Sequence, residues 1–208
     1  MLRLTRESYF ILPNKPELRK YYSAKRHAVP HAFRQQAAIK AAGHLVQQAS
    51  FTDSQHIACY FAYEDEFISQ PIIEAIWHAN KTCYLPVLTD SRILMFVQYN
   101  EGDTLRLNRY SILEPENISK SIAADKLDLV ILPLLAFDHH GHRLGTGGGY
   151  YDKTFAKENI VASPPLFGLG YALQQTTQVP IDSWDVPLDA VITENEVIYY
   201  ELNHAVVK

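Results

Sequence analysis

Apolar positions along the chain follow two periods, one typical of helices and one typical of short buried strands. A 3.6-residue apolar period predicts a helix over residues 32–48, and a basic segment predicts a helix over 16–27 with Asn14 as its N-cap. Residues 70–80 predict a further helix, because the isoleucines and Trp77 of this segment fall on one face. Apolar runs of strand length occupy residues 56–63, 82–87, 92–99, 104–107, 127–133, 166–171, 190–193 and 197–201.

The run over 127–133 is apolar at nearly every position, which is typical of a strand buried on both faces of a parallel sheet. Strands that alternate with helices predict an α/β fold, namely a three-layer domain with a largely parallel central sheet and helices on both faces. The segments 92–99 and 104–107 are expected to add antiparallel strands. The chain has 208 residues, 47% of them hydrophobic, so we expect residues 1–208 to form a single domain.

Net charge and cysteine content indicate the cellular compartment and exclude some classes of binding partner. The net charge of -4 disfavours general nucleic-acid binding, and no apolar run approaches membrane-spanning length. Cys59 and Cys83 lie in apolar runs and are expected to be core thiols in a reducing compartment. Arg3, Arg6 and Glu7 interrupt the first apolar stretch, so we expect no signal peptide there. These features predict a cytoplasmic protein that binds neither membranes nor nucleic acids.

The most distinctive segment is rich in glycine and follows the strand predicted over 127–133. A strand, a glycine loop and the start of a helix, in this order, present backbone N–H groups that can bind phosphate. Arg143 at the start offers a charge for phosphate, and Asp152 at the end offers a ligand for a metal ion. The segment consists of Arg143, Leu144, Gly145, Thr146, Gly147, Gly148, Gly149, Tyr150, Tyr151 and Asp152.

Familiar phosphate-binding motifs do not describe this segment. A P-loop requires two glycines separated by four residues and then Lys-Ser/Thr, whereas Tyr150 and Tyr151 end the glycine run here. The spacing also differs from that of a dinucleotide-binding fingerprint. A flexible loop without a ligand is the alternative, and the flanking charges, the buried strand upstream and the paired tyrosines disfavour it.

Two further groups of charged residues are candidates for chemistry. Lys15 and Arg19 are four residues apart and share one face of the first helix, although a solvated basic face gives the same pattern. Asp152 together with Asp185 and Asp189 offers the carboxylates that Mg²⁺ usually receives. From spacing alone, an aspartate that fixes a turn is an equally good interpretation.

Three histidines fall within four positions, at His139, His140 and His142, which invites a zinc interpretation. Adjacent histidines cannot easily share one ion, and no metal-binding spacing of cysteines or histidines accompanies them. Solvated loop histidines are the favoured interpretation.

Taken together, these motifs resemble the 5-formyltetrahydrofolate cyclo-ligase family, also called 5,10-methenyltetrahydrofolate synthetases. The resemblance runs over nearly the whole chain, and its glycine segment is specific to the family. It is carried by Leu132-Pro133, Ala136-Phe137-Asp138, Gly141, Arg143–Gly145, Gly147–Asp152, Asp185–Asp189, Val191–Glu194, Lys15, Arg19 and Glu66.

The resemblance implies an ATP-dependent reaction. ATP phosphorylates the formyl oxygen of 5-formyltetrahydrofolate, N10 attacks the activated carbon, and phosphate leaves to give 5,10-methenyltetrahydrofolate. It implies a fold like that of phosphosugar isomerases and CoA transferases, Mg²⁺ as cofactor and ATP as co-substrate. We expect a monomer.

The resemblance also implies roles for individual residues. Lys15 and Arg143 are expected to be catalytic, by neutralising the charge that develops on the transferred phosphoryl group. ATP contacts are expected from Lys15, Arg19, Arg143, Leu144, Gly145, Thr146, Gly147, Gly148, Gly149, Tyr150 and Tyr151. Folate contacts are expected from Phe61, Glu66, Thr146, Gly147, Gly148, Gly149 and Tyr150. Asp152 and Asp185 are the expected Mg²⁺ ligands.

The sequence departs from the family at two places. Thr146 stands where larger or basic residues are common, and Tyr21 and Tyr22 interrupt the basic helix. Alternative functions are a phosphosugar isomerase or CoA transferase, and a binding module that keeps a folate or nucleotide pocket without turnover. An isomerase needs a general base beside a substrate carbon, and no candidate stands out.

Overall fold

The computed structural model describes residues 14–160 and 162–201. The prediction that residues 1–13 are no signal peptide lies outside these residues. In chain order, the helices are α1 (Lys15–His27), α2 (His31–Leu45), α3 (Ala49–Thr52), α4 (Gln70–His78) and α5 (Tyr150–Thr154). The strands are β1 (His56–Ala58), β2 (Thr82–Leu88), β3 (Leu94–Gln98), β4 (Leu105–Leu107), β5 (Leu113–Pro115), β6 (Ser121–Ile122), β7 (Leu129–Pro133), β8 (Ala136–Phe137), β9 (Arg143–Leu144), β10 (Leu166–Leu169), β11 (Ala190–Ile192) and β12 (Val197–Tyr199).

Eight strands form the central sheet, in the order β12-β11-β10-β7-β1-β2-β3-β6. The five from β11 to β2 are parallel, and β12, β3 and β6 pair antiparallel at the edges. This confirms the largely parallel sheet and the antiparallel strand predicted over 92–99. Antiparallel pairing of β4 with β5, outside the sheet, accounts for the segment 104–107.

The alternation of side chains along the strands divides the core between two faces. Leu129 and Ile131 of β7 pack in a cluster covered by α2 and α4. Val130 and Leu132 point to the opposite face, where they meet Phe155 and the flank of α5. Each fully buried aliphatic side chain contributes about 1.5–3 kcal/mol to folding, so both layers are needed to stabilise the sheet. Helices therefore cover both faces, as predicted.

Helix α1 begins where the sequence predicts, because its N-terminus carries a reciprocal cap. The Glu17 amide donates to Oδ1 of Asn14 at 3.0 Å, and the Asn14 amide donates to Oε2 of Glu17 at 3.1 Å. Leu18 and Tyr22 on its inner face pack against the two-stranded unit of β8 and β9. This small apolar cluster lies apart from the two faces of the sheet and fixes the helix beside the glycine segment.

One predicted strand ends early, and at another place two short strands form where none was predicted. The strand predicted over 56–63 stops at Ala58, because the chain turns away at the end of β1 and Tyr60 Oη donates to the carbonyl of Phe67 at 3.0 Å. Between β7 and the glycines, where no strand was predicted, β8 pairs antiparallel with Arg143 and Leu144. Within the described ranges, no helix combines the length and the apolar content needed to cross a bilayer.

Candidate active site

A cleft of about 430 Å³ opens beside α1, between the glycine segment and the chain around residues 182–185. Its walls include Lys15, Arg19, Arg143, Gly145, Asp152 and Asp185. Residues predicted from distant parts of the sequence are thus brought together. A second cleft of about 490 Å³ lies near the β4–β5 pair and contains none of the predicted residues.

The glycine segment presents its main chain to this cleft. Gly147 and Gly149 have φ angles of +115° and +68°, a backbone conformation that residues with a Cβ rarely adopt. A Cβ at Gly147 would lie 3.6 Å from the guanidinium of Arg19. Arg19 is oriented by a hydrogen bond of 3.0 Å from its Nε to the carbonyl of Gly145. Thr146 and the three glycines after it are exposed, so a ligand can reach their backbone amides.

Arg143 is fixed by a buried ion pair. Its side chain is only 5% exposed, and Nη2 donates to Oδ1 of Asp152 at 2.6 Å. Nη1 donates to the carbonyl of Val186, and the Val186 amide donates to the same Asp152 oxygen at 3.1 Å. The pair therefore joins the start of the glycine segment to the chain around residue 186 without a ligand.

Lys15 bridges two carboxylates that also line the cleft. Its Nζ lies 2.6 Å from Oδ2 of Asp182 and 2.5 Å from Oδ2 of Asp185. Although burial favours the neutral amine, the hydrogen bonds to Asp182 and Asp185 raise the pKa of Lys15. The ammonium is therefore held charged at the mouth of the cleft.

The three aspartates considered for magnesium separate into two groups. Asp152 and Asp185 both line the cleft. Asp189 instead accepts a hydrogen bond of 2.7 Å from the Leu166 amide, which joins β11 to β10. Asp185 also fixes a turn, because its Oδ2 accepts the amide of Asp182 at 2.8 Å. The turn interpretation thus applies to Asp185, and its role as a magnesium ligand stays a prediction.

The donor chemistry at Asp152 and Asp185 fits a hard cation. Their hydrogen bonds converge on one oxygen each, so the second carboxylate oxygen can turn toward an ion that also receives phosphate oxygens. In the described part of the chain, no group of three or more His, Cys, Asp or Glu side chains is arranged to hold a metal. Metal binding here would therefore depend on oxygens from the ligand.

Phe61 and Glu66 lie in the segment that follows β1, outside the walls of this cleft. Glu66 Oε2 accepts the Tyr63 amide at 3.1 Å, and burial raises the pKa of Glu66. Phe61 packs edge-on against Tyr99 with ring centroids 5.4 Å apart. Burial first, and then the negative charge of Glu66, raise the pKa of Tyr151 in the glycine segment.

Tyr150 turns away from the cleft toward the loop between β4 and β5. Its hydroxyl lies 3.1 Å from Oη of Tyr110 and accepts a hydrogen bond of 3.1 Å from Nη2 of Arg109. These hydrogen bonds, from Tyr110 first and then Arg109, lower the pKa of Tyr150. Sequence reasoning missed both partners, since no local pattern marks them and they lie about forty residues away.

The histidines surround a buried carboxylate. Asp138 accepts the amides of His140 at 2.8 Å and His142 at 3.1 Å, and Nδ1 of His142 lies 3.0 Å from its Oδ2. Although burial favours the neutral acid, hydrogen bonds from the Val179 and His140 amides and from His142 lower the pKa of Asp138. His139 is exposed and lies against Gln175. These contacts hold the turn between β8 and β9.

An α/β domain in which an exposed glycine segment shares a cleft with fixed cations is typical of enzymes that bind phosphate groups. The family model of the 5-formyltetrahydrofolate cyclo-ligase family matches residues 12–194. The chain belongs to this family.

Individual relatives agree with the family match. A 5-formyltetrahydrofolate cyclo-ligase of Escherichia coli K12 is 33% identical over 176 residues, which cover 83% of this chain and 96% of that protein. The enzyme of that name from Haemophilus influenzae is 35% identical over 157 residues, covering 74% of this chain and 82% of the relative. An NMR structure of Aquifex aeolicus 5,10-methenyltetrahydrofolate synthetase superposes with a TM-score of 0.77 at 26% identity, covering 92% of this chain and 98% of that one.

Proposed function

We propose that the protein converts 5-formyltetrahydrofolate to 5,10-methenyltetrahydrofolate and hydrolyses ATP to ADP and phosphate in the process. The family to which the chain belongs supports this activity. The observation that carries it is the cleft in which Lys15, Arg19 and Arg143 surround the exposed glycine segment. Phe61 and Glu66 follow β1 at the carboxyl end of the same parallel sheet.

The reaction divides into two displacements. The formyl oxygen attacks the γ-phosphorus of ATP, the bond to the β–γ bridging oxygen breaks, and ADP leaves. N10 then attacks the formyl carbon and gives up its proton, after which the C–O bond breaks and phosphate departs with its electron pair. Phosphorylation converts a poor leaving oxygen into a good one. The protein must hold the reacting groups in line and neutralise developing charge.

The cationic residues supply this neutralisation in the proposal. Arg143 is already fixed, which favours stabilisation of a phosphoryl group without reorganisation. Lys15 is held by Asp182 and Asp185 and exchanges part of this contact for phosphate oxygens. Arg19 and the amides from Leu144 to Tyr151 complete the ATP contacts, with Thr146–Tyr150 also facing folate.

The carboxylate of Glu66 suits the donor edge of a pterin ring, because an ionised carboxylate only accepts hydrogen bonds. Its partial burial strengthens such a contact. Phe61 offers an aromatic face beside it. We assign the pterin to this side of the site.

Mg²⁺ is the proposed cofactor, and Asp152 and Asp185 would hold it. When bound, it would reduce the negative charge on the phosphate groups. Asp152 and Asp185 lie on the walls of the proposed ATP cleft, which supports this assignment. The remaining proposals concern the setting: one domain over residues 1–208 that works as a cytoplasmic monomer, without nucleic-acid or membrane partners.

The test is the appearance of the methenyl chromophore when purified protein is mixed with 5-formyltetrahydrofolate and Mg-ATP. Arg143→Ala should abolish most of this activity, whereas the exposed Lys20→Ala on α1 should leave it unchanged. Failure of the folded wild-type protein to form product would contradict the proposal. Binding of ATP or folate measured in that same sample would then favour the module without turnover.

A further inference from the structure

Trp184 is the most exposed large hydrophobic side chain among the described residues, with 67% of its surface accessible. It lies on the wall of the 430 Å³ cleft that also contains Lys15, Arg19 and the glycine segment. Because this ring lies on the wall of a cleft, it offers a large rigid apolar face that a ligand bound there can cover.

The backbone under this indole is held in place. Asp182 and Asp185 close the turn through two hydrogen bonds, from the Asp182 amide to Oδ2 of Asp185 at 2.8 Å and from the Asp185 amide to the Asp182 carbonyl at 3.1 Å. Lys15 then ties both carboxylates to α1. Trp184 is thus presented from a fixed turn, which lowers the entropy lost when a ligand packs on it.

Charge decides which part of a nucleotide meets the indole. Phosphates are drawn to Arg19, Arg143 and the amides of the glycine segment. The indole of Trp184 carries no charge that could pair with phosphate, and Lys15 already neutralises the neighbouring Asp182 and Asp185, so the ring offers a ligand only a flat apolar face. A purine base is neutral, flat and stacks readily on an aromatic side chain.

Folate offers flat rings as well, but its proposed contacts lie elsewhere. Phe61 and Glu66 do not line this cleft. Trp184 lines it together with the residues proposed to bind phosphate. We propose that Trp184 stacks on the purine base of ATP and thereby sets much of the affinity for the nucleoside part of this substrate. This inference rests on the proposed function and adds a residue and a contact to it.

Steady-state kinetics provide the first test. Trp184→Ala should raise the KM for ATP about tenfold, equivalent to about 1.4 kcal/mol, while the KM for folate changes less than twofold. Trp184→Phe keeps an aromatic face and should recover most of the loss. The matched control is Ile181→Ala, because Ile181 is 57% exposed on the same segment and outside the cleft walls.

Fluorescence provides a test that does not need turnover. Trp77 and Trp184 are the two tryptophans of the chain, so emission in Trp77→Phe comes from Trp184 alone. Trp77 donates its indole N–H to the Tyr99 carbonyl at 3.1 Å, and phenylalanine keeps most of its packing. ATP should quench this emission, whereas inorganic tripolyphosphate should compete with ATP without quenching.

The outcomes separate the two proposals. Equal quenching by tripolyphosphate, or a Trp184→Ala defect confined to folate, would overturn the base contact. Product formation with an unchanged KM for ATP in Trp184→Ala would overturn it while the cyclo-ligase activity stands. Quenching by ATP without product from the wild type would support the contact and refute the activity.

Discussion

Replacement of Arg143 by alanine separates a structural role from a catalytic one. The side chain is 5% exposed, and its guanidinium is bound to Asp152 and to the Val186 carbonyl. Removing one partner of a buried ion pair costs about 3–5 kcal/mol, because the remaining charge is left uncompensated. Asp152 is 25% exposed, so water recovers part of this loss and we expect about 2–3 kcal/mol.

Unfolding at neutral pH, followed with denaturant and with heat, measures this loss in the free energy of unfolding. For a chain of this size, each kcal/mol lowers Tm by about 2–4 °C, so we expect a shift of roughly 4–12 °C. Asp152→Asn and the double variant Arg143→Ala/Asp152→Asn complete a double-mutant cycle. The coupling free energy between the two residues should be about 1–3 kcal/mol. Lys20→Ala, an exposed cation on α1, should stay within about 0.5 kcal/mol of wild type.

Kinetics on the same variant test the phosphate contact. At a temperature where Arg143→Ala is folded, the KM for ATP should rise at least tenfold more than the KM for folate, since a charge-assisted hydrogen bond is worth about 1.5–3 kcal/mol. Equal increases for both substrates would refute the phosphate assignment. A stability change below about 0.5 kcal/mol would refute the ion pair itself.

Three further substitutions test other parts of the site and the hairpin beneath it. Asp152→Asn should weaken the dependence of turnover on Mg²⁺ concentration, and an unchanged magnesium titration would refute the metal role. Glu66→Gln should raise the KM for folate about tenfold and spare ATP, because a charged acceptor is lost; an ATP-selective defect would contradict the pterin assignment. Because the pKa of Asp138 is lower in the folded state than its unfolded-state value near 4, ionised Asp138 stabilises the fold at pH values above about 4. This stabilisation is lost as the pH falls through the folded-state pKa. Asp138→Asn should therefore be less stable than wild type at neutral pH, and the difference should narrow below about pH 4 in urea titrations.

Local signals in the sequence account for the elements that were predicted well. Asn14 and Glu17 cap α1 through neighbours in the chain, and the apolar run of β7 is buried because of its own composition. The same holds for the glycine segment, whose backbone conformation follows from residue type at Gly147 and Gly149.

Contacts between distant segments account for what was missed. Lys15 meets Asp182 across 167 positions, and Tyr150 meets Arg109 and Tyr110 across 41 and 40. No periodicity encodes such pairs, because they depend on where the sheet places its strand ends. The early end of β1 at Ala58 has the same origin, since the turn that follows is stabilised by tertiary contacts.

The small apolar cluster under α1 joins the element that carries Lys15 to the element that carries Arg143. Leu18 on α1 and Leu144 on β9 are both buried in this cluster. The helix that bears Lys15 and the strand that bears Arg143 therefore pack on the same apolar side chains. A cavity made at Leu18 should therefore disturb the positions of Lys15 and Arg143 together, although Leu18 is buried and does not line the cleft.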